Sequence, residues 1–163
     1  MGMNSHFSRR SAEADMARVR LALDAFEPAD EIAAFNALHP AAGGIVTFLG
    51  QVREGGGVEA LELQHYAPMT LPGMEELARV AERRWPLEGL LIVHRSGVMK
   101  PRDPIVLVCA AARHRRDAFA AADYVMDHLK SESWFWKREK TAAGWHWVEP
   151  RAQDHDDLSR WRA

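Results

Sequence analysis

Hydrophobic and polar positions in this chain follow two rhythms, and the change from one to the other marks its elements. Val19, Leu21 and Leu23 alternate along residues 17–26 and predict a first strand. Pro28 and Asp30 then open a short helix that should end near His39 and Pro40. The run Gly43-Gly44-Ile45-Val46-Thr47-Phe48-Leu49-Gly50 is bounded by glycine and rich in β-branched residues, which predicts a second strand. Leu61, Leu63 and His65 alternate with Glu62, Gln64 and Tyr66 in a third. Gly55-Gly56-Gly57 lies between these two strands as a flexible turn, so the pair is expected to form an antiparallel hairpin with a mobile tip.

Thr70 and Pro72 start a helix whose apolar stripe is Met74, Leu77, Ala78, Ala81 and Trp85, and Pro86 stops it. Strands over 90–93 and 105–111 follow, separated by the turn Pro101-Arg102-Asp103-Pro104. Residues 117–129 read as a helix with Phe119, Ala122, Met126 and Leu129 on one stripe. An aromatic corner, Trp134-Phe135-Trp136, leads to a last strand over 145–149. Asp154-His155-Asp156-Asp157 reads as a polar turn into the tail. Several strand pairs are joined by short turns, so the expected fold is α+β, with a mixed, largely antiparallel sheet and about three helices, and not a doubly wound parallel sheet.

A length of 163 residues with 47% apolar content fits one domain, expected over 16–163 behind a flexible N-terminal extension over 1–15. A formal net charge of −2 argues against an electrostatic nucleic-acid binder, so any basic site must be local. The single cysteine, Cys109, lies in an apolar strand run, which excludes a disulfide scaffold and argues against a catalytic thiol. No run approaches the roughly 20 apolar residues of a membrane span, and residues 1–15 lack the apolar stretch of a signal peptide. The expectation is a soluble cytoplasmic protein. Neither H-E-x-x-H, a C-x-x-C pair nor a nucleotide-binding glycine fingerprint is present, so no metal or cofactor is expected.

The residues best placed for chemistry lie at element ends. Lys130 falls in the last turn of the 117–129 helix, and Lys137 follows seven residues later, across the aromatic corner. Two ammonium groups held close lower each other's pKa, which makes a lysine a proton donor, a nucleophile or an anion clamp. The plainer alternative is that Lys130 answers the helix dipole and Lys137 is a solvated charge. Arg113, His114, Arg115 and Arg116 stand at the start of that helix, either as an anion site or as a solvated charge run. His94 reads as a satisfied histidine bracing a strand end, and His65 as a packed one. The Trp134–Trp136 cluster reads as a hydrophobic plug, or as a flat surface beside cations suited to a planar, anionic ligand such as a pterin.

Several stretches taken in order resemble one family. They are Gly44-Ile45-Val46-Thr47-Phe48-Leu49-Gly50-Gln51-Val52-Arg53, then Leu63-Gln64-His65-Tyr66 with Pro68-Met69-Thr70, then Arg84-Trp85-Pro86 and His94-Arg95-Ser96-Gly97. His114-Arg115, Met126-Asp127, Leu129-Lys130, Phe135-Trp136-Lys137-Arg138-Glu139 and Trp147-Val148-Glu149 continue the series. Together they resemble the large, catalytic subunit of molybdopterin synthase. Between the lysines the family pattern is closer to Thr-Arg-Ala-Pro, where this chain has Ser131-Glu132-Ser133-Trp134.

The resemblance implies an α/β hammerhead-type fold and a homodimer. Each copy would bind a small ubiquitin-like sulfur-carrier subunit, making a heterotetramer. The carrier's C-terminal Gly-Gly thiocarboxylate would supply sulfur to cyclic pyranopterin monophosphate, forming the molybdopterin dithiolene. Since the sulfur arrives on the partner, the chain needs no reactive cysteine. By the same resemblance Lys130 and Lys137 are the catalytic residues, and Gln51, Val52, Arg53, His114, Arg115, Lys130, Lys137, Arg138 and Glu139 form the substrate site. Two other classes remain as alternatives: a noncatalytic module gripping single-stranded RNA through basic and aromatic residues, and a lysine-dependent Schiff-base enzyme. Neither nucleic acid nor membrane is an expected partner.

Overall fold

A computed structural model describes residues 18–132 and 134–162. The extension expected over 1–15 lies outside these residues. Twelve elements follow in order: β1 (Arg18–Ala22), α1 (Pro28–Leu38), β2 (Gly44–Gln51), β3 (Ala60–His65), α2 (Thr70–Arg84), β4 (Leu87–Arg95), β5 (Gly97–Met99), β6 (Pro104–Ala112), α3 (Arg115–Ser131), β7 (Phe135–Thr141), β8 (Gly144–Val148) and α4 (Ala152–Ser159). The class is α+β, as the chain's pattern predicts. None of the described helices is long and apolar enough to cross a membrane.

The strands form two four-stranded sheets, ordered β1-β4-β6-β2 and β5-β3-β7-β8. Among the described residues only the β1–β4 pair is parallel, and the other pairs are antiparallel. The first sheet is covered on both faces, which is why β4 and β6 read as unbroken apolar runs. Leu90, Ile92, Val106, Val108 and Ala110 point toward α2 and α3, where they meet Met74, Leu77, Ala81, Ala121 and Val125. Their neighbours Leu91, Val93, Leu107, Cys109 and Ala111 point the other way, toward Phe35 of α1. Cys109 is fully buried and accepts a hydrogen bond from Thr47 Oγ1 at 3.6 Å. Burial pushes its thiol pKa up, so the thiol stays protonated and inert. A smaller cluster of Val52, Leu61, Leu63 and Met99, joined by Ile105 and Phe135, ties the second sheet to the first.

Four expectations need correction. The β2–β3 hairpin does not form: β2 pairs with β6, from Gly44 opposite Ala112 to Gln51 opposite Pro104, while β3 lies between β5 and β7 in the other sheet. Gly55, Gly56 and Gly57 all have positive φ, at 107°, 65° and 74°, and lead the chain from one sheet to the other. The aromatic corner is the start of strand β7, held by β3 on one side and β8 on the other. The acidic tail forms α4, making four helices among the described residues. Phe119 leaves the α3 stripe and is 60% exposed, because Ala118, Ala121, Ala122, Val125 and Leu129 already fill the buried face. The short strand β5 had no counterpart in the sequence pattern.

Candidate active site

Helix α3 sets the first half of the site. His114 caps it with extended backbone, Asp117 lies in its first turn, and His128 and Lys130 lie in its last, each on the side the helix dipole favours. Glu132 closes the helix by donating its N–H to the His128 carbonyl at 2.9 Å. The connection to β7 is then fixed from α2. Thr70 Oγ1 donates to the Trp134 carbonyl at 2.7 Å, and the Trp134 indole lies against Gly73, where an added Cβ would collide with the ring. This anchoring brings the chain back as β7 with Lys137 facing the site.

Alternation along β7 sorts its charges. Phe135, Lys137 and Glu139 share the face of their β3 partners His65, Leu63 and Leu61. Lys137 Nζ lies 3.4 Å from Glu139. Arg138 points to the opposite face, where it bonds Glu62 and its guanidinium stacks 4.5 Å from the Trp145 ring.

The pKa of Lys130 is lowered, first by burial and then by the charge of Lys137, with Arg151 and Arg53 adding to the effect and Asp154 opposing it. Lys130 is nonetheless an exposed residue, so solvent screening moderates the effect. The two lysines therefore interact electrostatically, as the seven-residue spacing predicts, and Arg53 reaches the same field from the end of β2.

His94 lies behind this group. Its ring stacks on Phe135 at 4.1 Å, and its Nδ1 meets the Arg95 carbonyl at 2.9 Å. Burial holds its pKa near 4, with the Lys130 charge adding to that effect, so it is neutral and Nδ1 donates the hydrogen bond. This is the satisfied histidine that the sequence predicts. His65 is likewise engaged, with Nδ1 2.6 Å from Ser96 Oγ.

A cavity of about 830 Å³ opens between β2, α3 and α4. Lys130 and Arg115 line it along α3, and Val46, Phe48, Phe119 and Met126 supply apolar wall. The expected site residues are thus only partly gathered. Lys137, with Glu139 beside it, and Arg53 act on the Lys130 charge, while Lys130 and Arg115 are the expected residues that line the cavity, at opposite ends of α3. His114 and Gln51 are exposed, and Val52 is buried with its N–H bonded to the Asp103 carbonyl at 2.9 Å. Three residues that the sequence pattern did not assign to the site also belong here: Arg151, and Asp154 and Asp157 from the expected polar turn. Their signal was the acidic run at 154–157, but it has no apolar stripe to mark a helix.

Residues 21–132 match the family model described as MoaE protein. The chain belongs to the MoaE family. The molybdopterin synthase catalytic subunit of Ralstonia nicotianae is 43% identical over 149 residues, covering 90% of this chain and 85% of that protein. A solved structure described as molybdopterin biosynthesis MoaE protein from Burkholderia ambifaria superposes with a TM-score of 0.77 at 44% identity, covering 91% of this chain and 99% of its own. Molybdopterin synthase from Staphylococcus aureus is more distant, with a TM-score of 0.68 at 27% identity over 79% of this chain and 95% of that one. The family model therefore spans every element from the end of β1 to the end of α3, Lys130 included.

Proposed function

We propose that this chain is the catalytic subunit of a molybdopterin synthase, transferring sulfur from a thiocarboxylated carrier to cyclic pyranopterin monophosphate to form the molybdopterin dithiolene. The observation that carries this reading is the convergence of the Lys137 and Arg53 charges on Lys130, which lines the cavity together with Arg115, in a member of the MoaE family. The carrier's extended Gly-Gly tail enters that cavity and brings its terminal sulfur to Lys130. The substrate phosphate meets Arg53 and Arg115, whose planar guanidinium groups suit two-point contacts with phosphate oxygens. A crowded ammonium that releases its proton readily is suited to protonate the product while holding negative charge in the approach. Lys137, kept beside Glu139, supplies the second cation.

In this reading Gln51, His114 and Glu139 complete the polar wall. Val52 acts through its place in the core and Arg138 through its tie to Glu62. The chain works as a single domain over 16–163, as a homodimer within a heterotetramer with the carrier, and in the cytoplasm. A formal net charge of −2 disfavours the RNA-binding alternative.

The test is incubation with cyclic pyranopterin monophosphate and a thiocarboxylated carrier, followed by mass spectrometry. The expected result is a pterin carrying two added sulfurs and a carrier returned to its carboxylate. An unchanged pterin beside an intact thiocarboxylate would reject the proposal.

A further inference from the structure

The charged groups around Lys130 come from every element packed on the end of α3. Helix α3 itself contributes Asp123, Asp127, Arg115 and Arg116 to the cavity wall, β7 brings Lys137 with Glu139 beside it, and Arg53 follows β2. His94 comes from β4, and the C-terminal segment brings Arg151, Asp154 and Asp157. Most of the groups that act on the ammonium are themselves cations. Glu132, two residues after Lys130, is exposed, and the acids that precede Lys130 on α3 are already engaged: Asp127, three residues before it, accepts from Arg160 Nη2 and from Trp161 Nε1, both at 2.6 Å. Asp123 accepts from the same Arg160 at 2.7 Å.

Asp154 is held differently. Its backbone carbonyl accepts a hydrogen bond at 2.5 Å from Ser131 Oγ, the residue directly after Lys130. Its carboxylate accepts from the Arg151 N–H at 3.3 Å, which fixes the first turn of α4. The far end of α4 is latched by Arg160 and by the Trp161 ring, set edge-on to Tyr124 at 5.3 Å and Trp85 at 5.9 Å. Helix α4 has no buried residue of its own, so these latches determine where it lies.

We propose that Asp154 is a positioning residue of the site, carried by α4 to the side of Lys130 to keep that amine protonated among the surrounding cations. The proposal rests on the reading of Lys130 as a catalytic residue. The carboxylate favours the ammonium form of an amine whose pKa burial and Lys137 lower. Without it, the proton leaves at lower pH, and the alkaline limb of the rate profile moves down with it.

The test compares Asp154→Asn with Asp156→Asn, which removes the same charge from an exposed position on the same helix. The full chain is labelled with 13C-lysine, and the Lys130 resonance is assigned by its loss in Lys130→Arg. The expected result for Asp154→Asn is a downward shift of about one pH unit in both the Lys130 midpoint and the alkaline limb of kcat. Asp154→Glu should restore most of the shift, and Asp156→Asn should leave both quantities unmoved. An unshifted Lys130 midpoint in folded Asp154→Asn overturns the proposal. Normal turnover by Lys130→Ala would instead overturn the catalytic reading of Lys130, and the midpoint measurement would still decide whether Asp154 governs that amine.

Discussion

The two sheets divide the work of the molecule between them. In the first, β4 and β6 bury both faces, and Ile92, Val93, Leu107 and Val108 have no solvent exposure. In the second, one face packs through Leu61, Leu63 and Met99, while the other leaves Trp136 and Trp147 more than half exposed and carries Arg138 stacked among tryptophans. The first sheet holds the two-sided core, the cavity opens between its strand β2 and helices α3 and α4, and the second sheet contributes the Lys137 charge that acts on Lys130. A strand buried on both faces has no room for ammonium groups. A half-buried strand can hold Lys137 beside Glu139, where its charge acts on Lys130, and still anchor itself through alternate residues.

The comparison is broken most directly at the lysines. Lys130→Ala and Lys137→Ala should each lower dithiolene formation by about 100-fold or more, with thermal midpoints close to that of the parent. A loss of folding in either variant would show that the second sheet and the end of α3 also carry stability. The next largest effect is expected from Ile92→Ala at the centre of the first sheet, which should cost about 2–5 kcal/mol in urea unfolding. A cost below about 1 kcal/mol there would remove the distinction between the sheets.

The contribution of His94 depends on pH. Its folded pKa of about 4 lies below the ordinary histidine value, so the unfolded chain binds the extra proton first. Stability is therefore complete above pH ~6.5 and falls as pH drops toward 4, by about 2 kcal/mol at pH 5. Urea titrations at pH 7 and pH 5 should show this loss in the parent and a smaller one in His94→Phe. The smallest effect is expected on the outer face of the second sheet. Glu62→Gln breaks the tie to Arg138, a pair with side chains 15% and 31% exposed, and should cost no more than about 1 kcal/mol.

Sequence patterns revealed the elements whose stability is local or two-sided. The α2 stripe from Met74 to Ala81 and the unbroken run of β6 state their environment in their own residues. Pairing was harder to read, because the Gly55–Gly57 turn permits either a hairpin or a crossing between sheets, and β6 decides the matter some fifty residues away. Strand β7 was hidden by Lys137, Arg138, Glu139 and Lys140, whose charges look like a surface loop until β3 and β8 flank them. Helix α4 buries nothing and depends on contacts with α3, so neither its existence nor the place of Asp154 could be read from residues 152–159. Lys130 was legible because a helix end fixes its position from within the chain. Its field was not, since Arg53 and Asp154 arrive from opposite ends of the sequence.

The seat of Trp134 on Gly73 gives α2 an influence on a reaction in which it contributes no charged group. A bare stretch of backbone on one helix sets how closely the last turn of another approaches the strand beyond it. Any larger residue at position 73 acts as a wedge against the Trp134 ring, so a random search for inactive but well-folded variants should return to this glycine.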